Sequence, residues 1–361
     1  MSGPSRHDPA GPLRPEVGPA WLPAGPLADD PAWDAFVAAA PSGSFPQLTA
    51  WAEANARGGW QACRVVTDGP DGPVGVQLLL HRPRWGPWWR AYGHRGPIGS
   101  PLTAGGIAAL TAELRRAGRA LRLSRVLLDP ELPTGDGLEA AFRAEGWRPV
   151  SPFEINVTRI IDVSQPEAAL WAALRSKWRQ YVGKARREGV TVVEAGAAGL
   201  DAFVPIHEAT ARRVGFRPAR VRAVYEAFAR RGGAQVLIAQ RAAADGSPGP
   251  EALAGLLLVA CGDRRIELYG GMTGPGAELH ANYLLKWESI RRAAAAGFRR
   301  YDMWGTDLPG LARFKSGFGG HETTYTGGWE LVVRPLGASL ERVAGVAGGL
   351  LARRRAGGTR R

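Results

Sequence analysis

The chain has 361 residues, a length that suits two domains, and 45% of them are hydrophobic, which is enough to form a core in each. No apolar run approaches the ~20 residues of a membrane-spanning helix, and the N-terminus lacks the apolar segment of a signal peptide. The net charge of +13 favours a polyanionic partner, although arginine-rich codon usage is the alternative explanation.

Two similar series of elements follow one another, after a Pro/Gly-rich lead at residues 1–28 that we expect to be disordered. The first series predicts strands at 62–66, 73–82, 89–94 and 123–129, a helix at 108–118, and a helix that runs into a last strand at 138–150. The second predicts strands at 234–240, 253–262, 265–271 and 298–305, and a helix at 281–297. Gly75 and Tyr92 of the first series have counterparts in Gly255 and Tyr269. The repeat predicts two mixed α/β domains of one fold.

Between the two series, residues 164–188 predict one amphipathic helix. Ser164 and Glu167 have the spacing of a capping box, and Gly189 is a suitable residue to end the helix. Six cations crowd into its second half: Arg175, Lys177, Arg179, Lys184, Arg186 and Arg187. A solvated face is the usual explanation for such a run, but the density favours a phosphate-binding role.

Several enzyme classes lack their motifs here. The sequence has no GxxxxGK[ST], GxGxxG or GxSxG, so phosphate-loop, dinucleotide and serine-nucleophile sites gain no support. The six histidines show no HExxH and no close pairing with Cys63 or Cys261, so we expect no metal. Two distant cysteines are typical of a reducing cytoplasm.

The stretch YDMWGTDLPGLARFKSGFGG, at 301–320, holds the strongest candidate for chemistry. It predicts a strand followed by a glycine-rich loop on which Lys315 stands beside Phe314. Only 4 of the 46 basic residues are lysines, so a retained lysine indicates a need for a compact amine rather than for charge alone. Asp302 and Asp307 are acids near it in sequence. A solvated loop cation is the alternative.

Four stretches resemble the FemABX family, the aminoacyl-tRNA-dependent transferases that add amino acids to the peptidoglycan stem peptide. They are FPQLTAWAEANARGGW (45–60), YGHRGP (92–97), RSKWRQYVGKARREGV (175–190) and the long block at 269–320. The resemblance implies an α/β fold of two tandem GNAT-like acyltransferase domains. Domain 1 would span 29–155, completed by a returning segment at 321–336, and domain 2 would span 156–320, followed by a basic tail at 337–361. The 193–240 interval leaves no room for the coiled-coil arm of the glycine-loading members, so the chain resembles the armless type.

The resemblance also implies roles for individual residues. An amine of the stem peptide attacks the aminoacyl ester, and Lys315 meets the charge that develops on oxygen. Phe314, in the same catalytic motif, and Phe318 either stack on the terminal adenine of the tRNA or pack under the loop. The implied substrate-binding residues are Arg179, Lys177, Tyr181, Arg95, Tyr269, Asn282, Phe318 and Trp304. Among these, Arg179 would hold the acceptor's phosphates. Asn55 and Ser100 stand where the family has a lysine and an acidic residue, which leaves the phosphate grip of the first domain and any acidic base there unassigned.

The implied function is that of a cytoplasmic, monomeric aminoacyltransferase without a cofactor, which uses aminoacyl-tRNA as co-substrate and a UDP-linked or lipid-linked peptidoglycan precursor as acceptor. Leu340 and the arginines that follow predict either a peripheral contact with the inner membrane face or a disordered tail. Three other functions stay open. They are an acyl-CoA-dependent GNAT N-acyltransferase, a FemAB-like enzyme recruited to another cell-surface polymer, and a non-catalytic RNA- or envelope-binding relative.

Overall fold

The computed structural model describes residues 29–82, 87–215, 218–242, 249–306 and 308–340. The predicted lead at 1–28, Asp307 and residues 341–361 of the predicted tail lie outside the described residues.

The strands and helices are numbered separately in chain order. The strands are β1 Gln61–Gly69, β2 Gly72–His81, β3 Trp89–Gly93, β4 Ile98–Gly99, β5 Leu123–Leu128, β6 Arg148–Val150, β7 Val157–Asp162, β8 Thr191–Glu194, β9 Ala234–Ala242, β10 Pro250–Cys261, β11 Arg264–Met272, β12 Arg300–Asp302, β13 His321–Thr324 and β14 Gly328–Val332. The helices are α1 Pro31–Ala39, α2 Thr49–Ala56, α3 Ala104–Ala120, α4 Leu138–Ala144, α5 Glu167–Ala173, α6 Ser176–Arg187, α7 Gly199–Val214, α8 Val221–Ala229, α9 Gly274–Glu278, α10 Ala281–Ala295 and α11 Pro309–Ser316.

These elements form two mixed sheets built on one plan. The first runs in the order β1-β2-β3-β5-β14-β6, with β4 beside β2, and the second runs β13-β7-β12-β11-β10-β9-β8. In each sheet the first three strands of the repeat are antiparallel, and the third runs parallel to the strand that follows the long helix. The predicted α/β fold with a duplicated domain is therefore confirmed.

A glycine at the matching position of each half allows the same kind of packing between a helix and the sheet. Gly75 lies in the middle of β2, where an added Cβ would come within 2.9 Å of the Trp33 ring of α1. Gly255 lies in the middle of β10, where a Cβ would come within 2.5 Å of the Phe203 ring of α7. A glycine in the central strand thus lets an aromatic side chain from a helix lie directly on the sheet.

The return of the chain to the first sheet begins later than predicted. The segment 321–336 was expected to complete domain 1, but its first strand, β13, pairs with β7 in the second sheet. Only β14 crosses over, where it pairs with β5 and β6. The physical reason is that β7 offers β13 an unpaired antiparallel edge before the chain reaches the other sheet.

The N-terminal helices belong to the contact between the halves. Trp33 and Phe45 are fully buried in a core that also contains Phe203 and Phe228 of the second half. This shared core is separate from the clusters under each sheet. Apolar burial of this extent joins the two halves through α1 and α2, a contact that the sequence pattern did not predict.

The single helix predicted at 164–188 is two helices. Ser164 donates to Asp162 rather than capping, and α5 begins only at Glu167. Extended backbone at Leu174 and Arg175 then separates α5 from α6. The expected end at Gly189 is confirmed, because this residue adopts φ +77° directly after α6.

Candidate active site

Lys315 lies on a helix rather than on a flexible loop. It occupies the last turn of α11, and only 6% of its surface is exposed. Gly317, in the predicted glycine-rich loop, has a helical φ of −74° and lies against Trp178, where a Cβ would come within 2.3 Å of the ring. The glycine is therefore required by close packing, and the loop prediction was wrong.

The Lys315 ammonium group holds the segment that follows β12. Its Nζ donates to the carbonyl oxygens of Met303, Trp304 and Gly305 at 2.6, 2.7 and 2.7 Å. Trp304 adopts φ +54°, a left-handed conformation that costs free energy for a bulky side chain. The Asp302 carboxylate accepts the Trp304 amide at 2.8 Å. A lysine and an aspartate thus fix one strained turn from both sides.

Aromatic side chains from α6, from the start of α10 and from the end of α11 contact one another next to the Lys315 helix. We call this group the aromatic patch: Trp178, Tyr181, His280, Tyr283, Phe314 and Phe318. The Tyr181 ring stacks on His280 with centroids 4.1 Å apart, and Tyr283 lies 5.1 Å from Phe314. The patch brings together three predicted site residues with three that the sequence reasoning missed. Their signal was the aromatic spacing on α6 and α10.

Phe318 does not fit its predicted contact with a substrate. Its side chain is 1% exposed and packs in the core of the second half. Phe314, by contrast, is half-buried, and its carbonyl accepts the Trp178 indole N–H at 3.0 Å. Only the outer members of the aromatic patch are therefore accessible to a ligand.

Basic residues of α6 border the aromatic patch. Lys177 lies 5.6 Å from the Tyr181 ring centroid, and the Arg175 guanidinium lies at the same distance from Trp178. Both cations and Lys184 are exposed, whereas Arg186 pairs with Glu288 at 2.9 Å. One face of α6 therefore offers positive charge next to stacked rings.

Arg179 turns away from this face. Its Nη1 donates to the carbonyls of Ala172 and Leu174 at 3.0 and 2.6 Å, where α5 ends. A cation at a helix C-terminus satisfies carbonyls that lack partners within the helix. The structure thus gives Arg179 a capping position, whereas the sequence predicted a phosphate contact.

We expect Arg179→Ala to lower the free energy of unfolding by about 1 to 2 kcal/mol, because the last carbonyls of α5 lose a charged donor. Urea unfolding measures the change. Arg187→Ala is the matched control, since Arg187 is exposed on the same helix and its loss should change stability by less than about 0.5 kcal/mol. Unchanged stability together with a higher KM for a phosphorylated acceptor would instead support the phosphate contact.

Arg95 lies in the contact between the halves, not on a substrate surface. Only 1% of it is exposed, and its guanidinium lies 5.0 Å from the Trp304 ring and 5.3 Å from the Tyr325 ring. Burial holds its guanidinium against these two rings, and its predicted role as a substrate-binding residue stays a prediction. Tyr269 and Asn282 are half-buried, on β11 and in the first turn of α10.

A buried charge network, which the sequence did not predict, crosses the same contact. It consists of Arg95, Glu131, Arg264 and Asp302. Arg264 of the second sheet lies 2.7 Å from Glu131 and 3.2 Å from Asp302. Burial alone would lower the pKa of Arg264, but Glu131 and Asp302 raise it. Burial also raises the pKa of Asp302, against the pull of Arg264.

A second polar group lies near Arg95, directly after β5. Asp129 accepts the Tyr92 hydroxyl at 2.8 Å and the Arg95 amide at 2.9 Å. Burial raises the pKa of Asp129 to about 6. Glu154 lies between β6 and β7, and its Oε1 is 3.8 Å from Nε2 of His94.

The described residues contain no group of three or more His, Cys, Asp or Glu side chains that could hold a metal ion. None of the described helices is long and apolar enough to cross a membrane. Two cavities, of about 290 and 450 Å³, lie away from Lys315. One is lined by Arg115 and Arg148, and the other by Trp171 and Trp287. The candidate site is the surface formed by the aromatic patch and the exposed cations of α6.

Residues 234–345, which include the Lys315 helix and most of the aromatic patch, match the model of the FemAB family. This part of the chain is therefore similar to the FemAB family. The fold is similar to that of FemX, whose crystal structure aligns with a TM-score of 0.75, covering 84% of this chain and 96% of that one at 20% identity.

Part of the chain is also similar to curated proteins of stated activity. The chain is 27% identical over 198 residues to the lipid II:glycine glycyltransferase of Staphylococcus saprophyticus, which covers 52% of this chain and 48% of that one. It is 28% identical over 195 residues to the enzyme of the same name from Staphylococcus aureus, covering 51% and 46%. The chain therefore spans about half the length of the curated relatives that it matches.

Proposed function

We propose that this protein is an aminoacyltransferase that moves an amino acid from aminoacyl-tRNA to an amine of a peptidoglycan precursor. The observation that carries the proposal is the aromatic patch, bordered by exposed cations of α6 and adjoining the Lys315 helix. The half-buried rings suit the unpaired bases at the end of a tRNA, and exposed cations suit its phosphates. The glycyltransferase relatives support the lipid-linked form of the precursor as acceptor.

The proposed chemistry needs positioning and charge stabilisation, because the ester of the donor is already activated. The acceptor amine forms a bond to the ester carbon, negative charge develops on the carbonyl oxygen, and the ribose oxygen leaves. Lys315 supplies positive charge at this point. Its ammonium meets three backbone carbonyls in the structure, so direct contact with the oxyanion requires it to exchange one of them.

An acyl-CoA donor, the alternative, finds less support in the turn before α10. A GNAT enzyme binds the CoA pyrophosphate there through free backbone amides, as at other helix N-termini. Here the short helix α9 fills the turn, and the Gly276 amide donates to Thr273 Oγ1 at 3.0 Å. The Ala277 amide donates to the Thr273 carbonyl at 3.1 Å. These two backbone amides therefore already have hydrogen-bond acceptors within the chain and are not free to bind a pyrophosphate.

We expect the protein to bind tRNA and not acetyl-CoA, because the aromatic patch and the basic face of α6 replace a pyrophosphate loop. Isothermal titration with each ligand at a stated salt concentration measures this. The affinity for tRNA should fall at least tenfold between about 50 and 200 mM salt, as neutralised phosphates release counterions.

Two charge variants locate the contact. Lys177→Gln and Lys184→Gln should each weaken tRNA binding and reduce the salt slope by about one, whereas Arg148→Gln, exposed on the other half, should leave both unchanged. Tight binding of acetyl-CoA without binding of tRNA would refute the proposal.

A further inference from the structure

The linker between the halves, residues 151–156 between β6 and β7, carries the carboxylate of Glu154, to which the proposed reaction assigns no role. The Glu154 side chain is 37% exposed, and its Oε1 lies 3.8 Å from Nε2 of His94. The His94 side chain is 4% exposed, and this nitrogen has no hydrogen-bond partner among the described residues. A buried polar atom without a partner costs free energy, so the gap between the two groups is a place for a polar atom of a ligand.

Glu154 is also connected to the turn that Lys315 holds. The next residue, Ile155, lies against Gly305, where an added Cβ would come within 2.6 Å of the Ile155 side chain. The Gly305 carbonyl is one of the three that accept from Lys315. The carboxylate and the ammonium are therefore attached to two segments that pack directly on each other.

The charges around Glu154 favour a proton acceptor that works near neutral pH. The titratable and charged groups that face it are Tyr92, His94, Arg95, Asp129 and Tyr269. Burial and the charge of Asp129 raise the pKa of Glu154 to about 7, against the pull of Arg95. Burial and Arg95 lower the pKa of His94 well below its usual value, so its ring is neutral. A base with a pKa near the working pH is the most effective one.

We propose that Glu154 is the general base that takes the proton of the attacking amine, and that His94 is a positioning residue that binds the same nitrogen or the carboxylate. This inference rests on the proposed function. The amine nitrogen forms a bond to the ester carbon, and the bond between that carbon and the ribose oxygen breaks with its electron pair on oxygen. The proton lost from nitrogen passes to Glu154 and from there to the ribose oxygen, so no other reactant is needed.

The first experiment measures kcat for transfer against pH. For the wild-type protein we expect an inflection near pH 7, above which the carboxylate is ionised and the rate is higher. The ionisation of the acceptor amine, with a pKa of about 10.4, remains in every variant. Glu154→Gln should lose the inflection, with kcat about 100-fold lower and tRNA affinity unchanged. His94→Gln should move the inflection.

Glu322→Gln, on β13, is the control and should keep both the rate and the inflection. Stability separates loss of a base from loss of the fold. The raised pKa of Glu154 means that the folded wild-type protein loses stability as pH rises from about 4.5 to 7, so Glu154→Gln should be at least as stable as wild type at pH 8. A transferring enzyme whose Glu154→Gln variant keeps kcat and the inflection would overturn the proposal.

The second experiment needs no turnover and uses two probes, a lysine-containing stem pentapeptide and the same peptide with its side-chain amine acetylated. Titration calorimetry should show that the wild-type protein prefers the free amine at least tenfold and that Glu154→Gln loses this preference. If the wild type shows this preference but no transfer from any charged tRNA, the proposed function fails while the amine site at Glu154 stands. If neither protein distinguishes the peptides, the site at Glu154 is refuted whether or not transfer occurs.

Discussion

Lys315→Arg is expected to lower kcat for aminoacyl transfer about 100- to 1,000-fold, although it keeps the positive charge. A tetrahedral ammonium reaches three carbonyls that surround it, at 2.6 to 2.7 Å, within a buried space. A planar guanidinium is larger and directs its donors in one plane, so it cannot reproduce this arrangement or reach the oxyanion from it. Removal of one hydrogen-bond donor to the oxyanion typically lowers kcat about 100- to 1,000-fold. Steady-state kinetics with charged tRNA and a precursor measure the effect.

Lys315→Ala should lower kcat as strongly, with both KM values near normal, because the charge that the amine meets exists only in the transition state. Lys177→Arg is the matched control: Lys177 is an exposed lysine of the same region, where arginine should serve equally well. Circular dichroism and a thermal melt establish that the variants fold. Full activity of Lys315→Arg would show that the amine takes no part in the chemistry.

Arg264→Met is expected to lower the free energy of unfolding by about 3 to 5 kcal/mol at pH 7. The substitution keeps a long side chain but leaves Glu131 and Asp302 buried without their shared cation. Breaking a buried pair by removal of one partner has this cost because the remaining charge is uncompensated. Urea unfolding, monitored by tryptophan fluorescence, measures the change in the free energy of unfolding. The lost stability should come from a weaker contact between the two halves.

The deficit of Arg264→Met should depend on pH. Without the cation the pKa of Asp302 in the folded protein, which burial already raises, rises further above that of the unfolded chain, so stability falls as pH rises and the deficit is larger at pH 8 than at pH 5. Arg300→Met is the control. Its pair with Asp263 is more than a third exposed on both sides, and its loss should cost less than about 1 kcal/mol. A deficit for Arg264→Met no larger than that of the control would show that the buried charge network does not stabilise the folded protein.

The sequence by itself determined the repeated series of elements and the resemblance to the FemAB family. Alternating and continuous apolar runs gave β2, β9 and β10 nearly their observed bounds, because burial of one or both faces of a strand leaves a local pattern. Gly75 and Gly255 could be matched because each is required by a contact inside its own domain. The aromatic and cationic residues of α6 were visible for the same reason, since helical spacing alone puts them side by side.

The tertiary structure decided what those residues contact. Lys177, Arg179 and Tyr181 are near neighbours on one helix, yet Arg179 caps α5 because the chain breaks at Leu174 and places the α5 carbonyls within its reach. Lys315 was expected on a loop, but Gly317 serves the packing of Trp178, a contact with a residue about 140 positions earlier. The Arg264 network joins residues from both halves, and the gap at Glu154 places the segment between β6 and β7 beside His94 at the end of β3. Such contacts depend on how two domains dock, and docking leaves no periodicity in a sequence.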